Sequence, residues 1–244
     1  YLDLKSTDGL RKTRLLSEAV TSVDHFTQID LGLFERISTH PFSFHSSIRL
    51  LKLWQDSHRL QPSIGVVATG NHTFDDFRFL RMNTEIPTDQ IGSRWRWFDK
   101  GGEYQPFYAA TNLLLDWKND GGALRWINFK KYGTDAQVMQ SSKFWNRSGL
   151  CYSHVSSVAF GPRVLPANMV FSSESISIFA KDDRDLLPLL GLLCSTLVQD
   201  LIWVFGRYRK IENRAVSNLP ISRKLLRRSV NAEIERATSQ GISL

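Results

Sequence analysis

The sequence predicts an α+β domain: a central mixed or antiparallel sheet of short twisted strands, flanked by helices. Three observations lead there. Apolar residues recur at three- and four-residue steps towards both ends of the chain but alternate with polar ones in its middle. Turn clusters at Gly101-Gly102, Asp120-Gly121-Gly122, Gly161-Pro162 and Pro166-Ala167-Asn168 cut that middle into strand-length pieces. A chain of 244 residues, 42% of them hydrophobic, can also build a sizeable core.

Taken in order, Tyr1-Leu2-Asp3-Leu4 alternates like the tail of a strand and lacks an initiator Met, so a piece of a longer protein is expected. Leu10 to Val23 reads as a helix with Arg11, Lys12 and Arg14, its apolar side formed by Leu15, Leu16, Ala19 and Val20. Phe34-Glu35-Arg36-Ile37 and a polar turn with Pro41 precede a second helix, Ser46 to His58. Ser46 or Ser47 suits its start, and Ile48 and Leu51 face inward, with Leu50 and Trp54 as further candidates.

Ile64 to Ala68 is a strand closed by Thr69-Gly70-Asn71. Arg94 to Phe98 alternates as a strand with one basic and one aromatic face. Leu113 to Leu115, Ala123 to Phe129, Ser156 to Phe160, Met169 to Phe171 and Ile176 to Phe179 are further strand candidates. Leu186 to Phe205 returns to helix. Pro188, Gln199 and Asp200 argue against a membrane span there, and a last helix is expected near Ser229 to Ser239. The domain expectation is a helical linker over 1–60, a recognition unit over 61–221 and a basic helical tail over 222–244.

A net charge of +7 and a pI near 9.5 favour polyanionic partners, and a charged share of 23% makes disorder unlikely as a description of the whole. Cys151 and Cys194 read as buried thiols of a cytoplasmic protein rather than a disulfide.

The chemistry offered is mostly that of binding. Trp95, Trp97, Trp117, Trp126 and Trp145 fall in one stretch, interleaved with Arg94, Arg96, Lys100, Lys118, Arg125, Lys130, Lys131, Lys143 and Arg147. Cations neutralise phosphates and planar rings pack on sugars or unstacked bases. The plainer alternative, a tryptophan core with a basic edge, is expected for most of the tryptophans. Lys100-Gly101-Gly102-Glu103-Tyr104 allows close backbone approach, with a tight turn as its first use and Lys100 on a phosphate as a second. Ser153 and His154 are strand neighbours facing opposite ways, so a hydrolytic pair is excluded. Arg207, Arg209, Lys210, Arg214, Arg223, Lys224, Arg227 and Arg228 stand against the single acid Glu212, a run suited to backbone phosphates. A rival enzyme reading takes Asp99, Asp116 and Lys118 as a metal-dependent nuclease centre. His40, His45 and His58 match no closed zinc site.

Five fragments occur in a fixed order: Thr69-Gly70-Asn71 with Arg78-Phe79-Leu80-Arg81; Lys100 to Tyr104; Asp116-Trp117-Lys118-Asn119-Asp120-Gly121; Ser153-His154-Val155-Ser156-Ser157; and Ser217-Asn218-Leu219-Pro220-Ile221. The series, from about Phe34 to Ile221, resembles the C-terminal target-recognition region of large bacterial N6-adenine DNA methyltransferases. Those of BREX phage-defence systems and fused type IIG restriction-modification enzymes are the families concerned.

The resemblance implies sequence-specific binding of double-stranded DNA, with no metal or nucleotide of its own. Neither a glycine-bearing cofactor loop nor an Asn/Asp-Pro-Pro-Tyr/Phe motif occurs between Tyr1 and Leu244. S-adenosylmethionine and the catalytic module are therefore implied for a part of the parent upstream of Tyr1. Arg94, Arg96, Lys100, Arg125, His154, Ser156 and Arg163 are the expected DNA-contacting set. A third reading, a protein-interaction module of a defence complex, would use the basic tail.

Overall fold

In the computed structural model, residues 8–22, 26, 28–35, 37, 41, 43–44, 46–56, 58–145, 147–205, 209–221, 236 and 238–239 are described. The expectations for Tyr1 to Leu4, Arg36, His40, His45, Arg207, Arg223, Lys224, Arg227 and Arg228 fall outside them, as does most of the last helix.

Helix α1 (Gly9–Thr21) starts where Asp8 accepts a hydrogen bond from Arg11 N at 2.8 Å. Of its expected apolar side, Leu16 and Val20 are exposed and Leu15 and Ala19 are half-buried. After α2 (Gly32–Glu35), α3 (Ile48–Asp56) begins on Ser47, whose hydroxyl accepts from Leu50 N at 3.2 Å. Leu51 and Trp54, three residues apart, share the buried face, and Trp54 Nε1 donates to Asn218 O at 2.9 Å. Ile48, expected inside, is largely exposed.

The chain continues through α4 (Leu60–Ser63), β1 (Gly65–Ala68), α5 (Asp76–Phe79), β2 (Leu80–Met82), β3 (Trp95–Asp99) and β4 (Leu113–Asp116). Then follow α6 (Lys118–Tyr132), β5 (Gly149–Ser153), β6 (Arg163–Leu165), β7 (Val170–Phe171), β8 (Ser175–Ala180), α7 (Leu186–Leu193), α8 (Thr196–Val204) and α9 (Asn213–Ser217). The α+β class holds. The strands form two four-stranded sheets, however, rather than one central sheet. The first has the order β1-β8-β5-β6 and is antiparallel throughout; the second, β2-β4-β3-β7, pairs β3 with β7 in parallel.

Period-2 alternation explains how β5 and β8 serve two cores at once. Leu150, Tyr152, Ile176 and Ile178 face a core built with α3 and α7 to α9, whereas Cys151 and Phe179 face the core of the second sheet. The first core also takes in Leu33, Phe34, Leu51 and Leu60, so residues on both sides of position 60 pack together.

Three expected elements are corrected. Ala123 to Phe129 is not a strand but part of α6. Leu124 and Asn128 are buried four residues apart, and Gly133 closes the helix at φ 73°, its N–H bonding Phe129 O. Trp, Ile and Phe gave this segment a strand-like texture. A left-handed turn at Asn119, Asp120 and Gly121, all at positive φ, lets the helix start just after β4.

Ser156 to Phe160 is an irregular turn. The Ser156 hydroxyl accepts from Val158 N and Ala159 N, and the Gln199 side chain takes both backbone groups of Phe160, at 2.9 and 2.7 Å. Leu186 to Phe205 is two helices bent by 80°, the second capped by Ser195. No single helix among the described residues is long and apolar enough to cross a membrane.

Candidate functional site

The two sheets meet where β7 runs into β8, and four chain segments converge at that seam. Gly70 lies so close to Phe171 that an added Cβ would sit 1.9 Å from its carbonyl oxygen. This approach lets Asn71 N donate to Phe171 O and Ser173 N to Asn71 O, each at 2.9 Å. From β3, Ser172 N reaches Asp99 O at 2.9 Å, and Gly101, at φ 82°, abuts the Glu174 carbonyl. From β5, His154 N donates to that same carbonyl at 2.8 Å. Three of the ordered fragments, Thr69-Gly70-Asn71, Lys100-Gly101-Gly102 and Ser153-His154, are thereby brought together from positions up to 85 residues apart (69 to 154).

Beneath the seam lies a buried polar support. Asp99 accepts from Arg163 Nη2 at 3.1 and 3.3 Å, from Ser175 Oγ at 2.6 Å and from Gly101 N at 3.1 Å, while Arg163 Nη1 reaches Ser153 Oγ at 3.3 Å. The Arg163 side chain is 4% exposed. It holds the seam from within and does not present its guanidinium to a duplex. Burial first, and the Asp99 carboxylate second, push the neighbouring Cys151 thiol well above its ordinary range.

The outer face of the seam is a polar groove. One cleft of about 240 Å³ is lined by residues including His72, Asp76, Lys100 and Ser173. It shares His72, Ser173 and Glu174 with an open cleft of about 830 Å³ that reaches His154, Lys210 and Arg214. Lys100 pairs with Asp76, which also bonds Thr73, and lies 3.9 Å from Glu174. Burial raises the Asp76 pKa, but the hydrogen bonds from Lys100 and Thr73 prevail and hold it below the usual carboxylate value.

The basic C-terminal passage enters this groove by backbone pairing. Ser156 N donates to Arg209 O at 2.7 Å, and Ile211 N to His154 O at 2.8 Å. Glu212 faces His154 Nε2 at 3.7 Å and Lys210 at 3.2 Å. Arg209 and Arg214 are exposed, and their side chains meet no carboxylate among the described residues. Arg214 lines this groove and Arg209 the adjoining cleft, so both set an exposed guanidinium at its edge.

Of the expected contact set, then, Lys100 and His154 line the seam, Ser156 lies on the neighbouring cleft with Arg209, and Arg163 lies beneath the seam. Arg94, Arg96 and Arg125 are gathered elsewhere, around Trp117. Arg94 forms a two-pronged pair with Asp116 at 2.7 and 3.2 Å, Arg125 bonds Asp135 at 2.7 Å and Asp120 at 3.4 Å, and Arg96 packs over the Trp117 ring. Most of the tryptophans are core, as expected: Trp95, Trp117 and Trp145 are buried, Trp97 is partly so, and Trp126 is exposed.

The nuclease alternative fails on distance. Asp116 pairs across the sheet with Trp95, so Asp99 lies four residues further along β3, about 13 Å away at strand rise. Each acid is also engaged by its own arginine. Among the described residues no group of His, Cys, Asp or Glu could hold a metal ion.

His72, Ser173, Glu174 and Asn213 were not singled out from the sequence. Asn213 bonds Thr69 and thus ties α9 to the groove. The one signal for His72 was its place directly after Thr69-Gly70-Asn71.

No family model matches the chain. The adenine-specific methyltransferase PglX of Lacticaseibacillus casei (strain Zhang) is 28% identical over 202 residues, which cover 78% of this chain and 17% of that protein. The chain therefore spans about a sixth of the length of the relative it matches. What most of this chain is similar to is a segment of an adenine-specific methyltransferase.

Proposed function

We propose that this chain is the DNA-reading portion of an adenine-specific DNA methyltransferase, gripping duplex DNA across the seam between its two sheets. The observation that carries the reading is the groove itself. Fragments far apart in sequence end on one cleft, where Arg214 stands, with Arg209 on the adjoining cleft, and neither meets a carboxylate among the described residues. Exposed guanidiniums bind phosphate oxygens, and a polar side chain such as His72 can meet a base edge.

The two glycines at the seam, Gly70 and Gly101, are packed against the Phe171 and Glu174 backbones and serve the junction of the sheets. Methyl transfer itself would belong to another part of the parent protein.

Selection from randomised duplexes at low and moderate salt tests the proposal. Enrichment of a short sequence, with affinity falling as salt rises, supports it. The absence of salt-sensitive binding at either salt would refute it.

A further inference from the structure

Outside the groove, helix α6 carries its residues in an inverted arrangement. Asn128 is buried, while Trp126 and Phe129 are each 60% exposed and Tyr132 is also exposed. Lys130 Nζ lies 5.1 Å from the Trp126 ring centre and Lys131 Nζ 5.1 Å from that of Tyr132. Neither lysine meets a carboxylate among the described residues.

This face is continuous with the groove. Tyr132 contacts Phe74 at 5.2 Å between ring centres, and Phe74 stacks on His72 at 5.5 Å with planes 29° apart. His72 lines both clefts of the groove. A strip of rings thus leads from the groove through Phe74 and Tyr132 to Phe129 and Trp126, placed at three-residue steps on one helix face.

The loop bearing Phe74 is held rather than loose. Thr73 and Lys100 both bond Asp76, and Asp75 accepts from Arg78 N at 3.2 Å. Phe74 itself sits at φ 60°, where aromatic residues are rare, and Phe77 beside it is 96% exposed. The local architecture keeps these rings facing outward.

Aromatic rings with cations over them, rather than aliphatic side chains, make up this face. A paired duplex offers it phosphates but hides the base faces. We infer that the strip His72–Phe74–Tyr132–Phe129–Trp126 is a stacking surface for unpaired DNA bases beside the duplex held in the groove. This rests on the DNA-reading proposal and adds a second ligand state, a locally opened or single-stranded segment.

The test uses the full chain with three probes: a fully paired duplex, the same duplex with a central unpaired bubble, and the matching single strand. Binding is followed by anisotropy, and Trp126 is followed as the fluorescence difference from Trp126→Phe. The bubble should bind more tightly than the duplex and quench Trp126. Trp126→Ala and Phe129→Ser should each weaken bubble binding roughly tenfold, with duplex affinity unchanged, and Trp126→Phe should retain it.

Equal affinity for bubble and duplex, or a bubble preference that survives both truncations, overturns the inference while leaving the groove reading intact. Self-association of the chain that vanishes in Trp126→Ala also overturns it, because the strip would then be covered by a second copy. Failure to bind any of the three probes would sink both readings together.

Discussion

The two ends of β3 each carry a paired basic residue, Arg94 and Lys100, but are set in different company. Before its first residue, Arg94 is paired with Asp116, with Arg96 over Trp117 and Arg125 between Asp120 and Asp135 close by. Those charges are largely spent within the fold. Beyond its last residue, Lys100 is partly neutralised, but the chain returns at Arg209 and Arg214, exposed and without a carboxylate partner among the described residues. A basic residue on a strand is therefore no guide to a polyanion site until its partner is known. The acid supplied from elsewhere decides whether the charge faces inward or outward.

The sharpest way to break this comparison lies under the seam. Arg163→Ala should strip Asp99 of its buried partner and lower stability by about 3–5 kcal/mol, measured by urea denaturation. A variant of unchanged stability and reduced DNA affinity would return Arg163 to the contacting set. Gly70→Ala comes next, with an expected loss of about 3 kcal/mol, because the Phe171 backbone cannot withdraw without disturbing the sheet junction. A normal melting curve for that variant would mean the seam is not rigid.

Effects on binding are expected to be smaller. Arg209→Ala and Arg214→Ala should each reduce the steepness of log affinity against log salt by about 0.9, the share of one phosphate contact, whereas Arg94→Ala should not change it. Equal effects at both ends of β3 would erase the distinction between them.

The smallest effect is on pH dependence. Asp76 is held below its ordinary pKa, so its contribution is complete above the usual carboxylate value and is lost as pH falls through the depressed one. Amide resonances of Thr73 and Asp76 should therefore stay fixed from neutral pH to about 4 and shift only below it, and Asp76→Asn should abolish that transition. A transition above pH 5 would contradict the pairing with Lys100. At the alkaline side, burial pushes Cys194 up to about 12, so the native protein at pH 8 should resist thiol reagents that label it after unfolding.

The fold was legible where one physical signal acted alone. Val66 to Ala68, Leu113 to Leu115 and Ile176 to Phe179 alternate or run apolar between turn residues, and all became strands. Reading failed where two signals competed. Trp126, Ile127 and Phe129 favour strands individually, yet Leu124 and Asn128 at helical spacing set the buried side of α6. Ser156 to Phe160 reads like a strand, but Gln199, nearly forty residues away, satisfies the Phe160 backbone in a strand's place. The division of the strands into two sheets left no local mark either, since the chain passes from one sheet to the other within the few residues between β7 and β8.

The sequence by itself determined the α+β class, the buried tryptophans, the tight approach at Gly101 and the excess of cations. These are properties of single segments, set by periodicity, side-chain volume and charge. Only the tertiary structure decided that Arg163 is internal, that Arg94 and Arg125 are paired, and that Arg209 and Arg214 are exposed. Burial and ion pairing depend on which distant segments meet, and the chain reveals that only when β7 joins β8 and draws four strand ends to one seam.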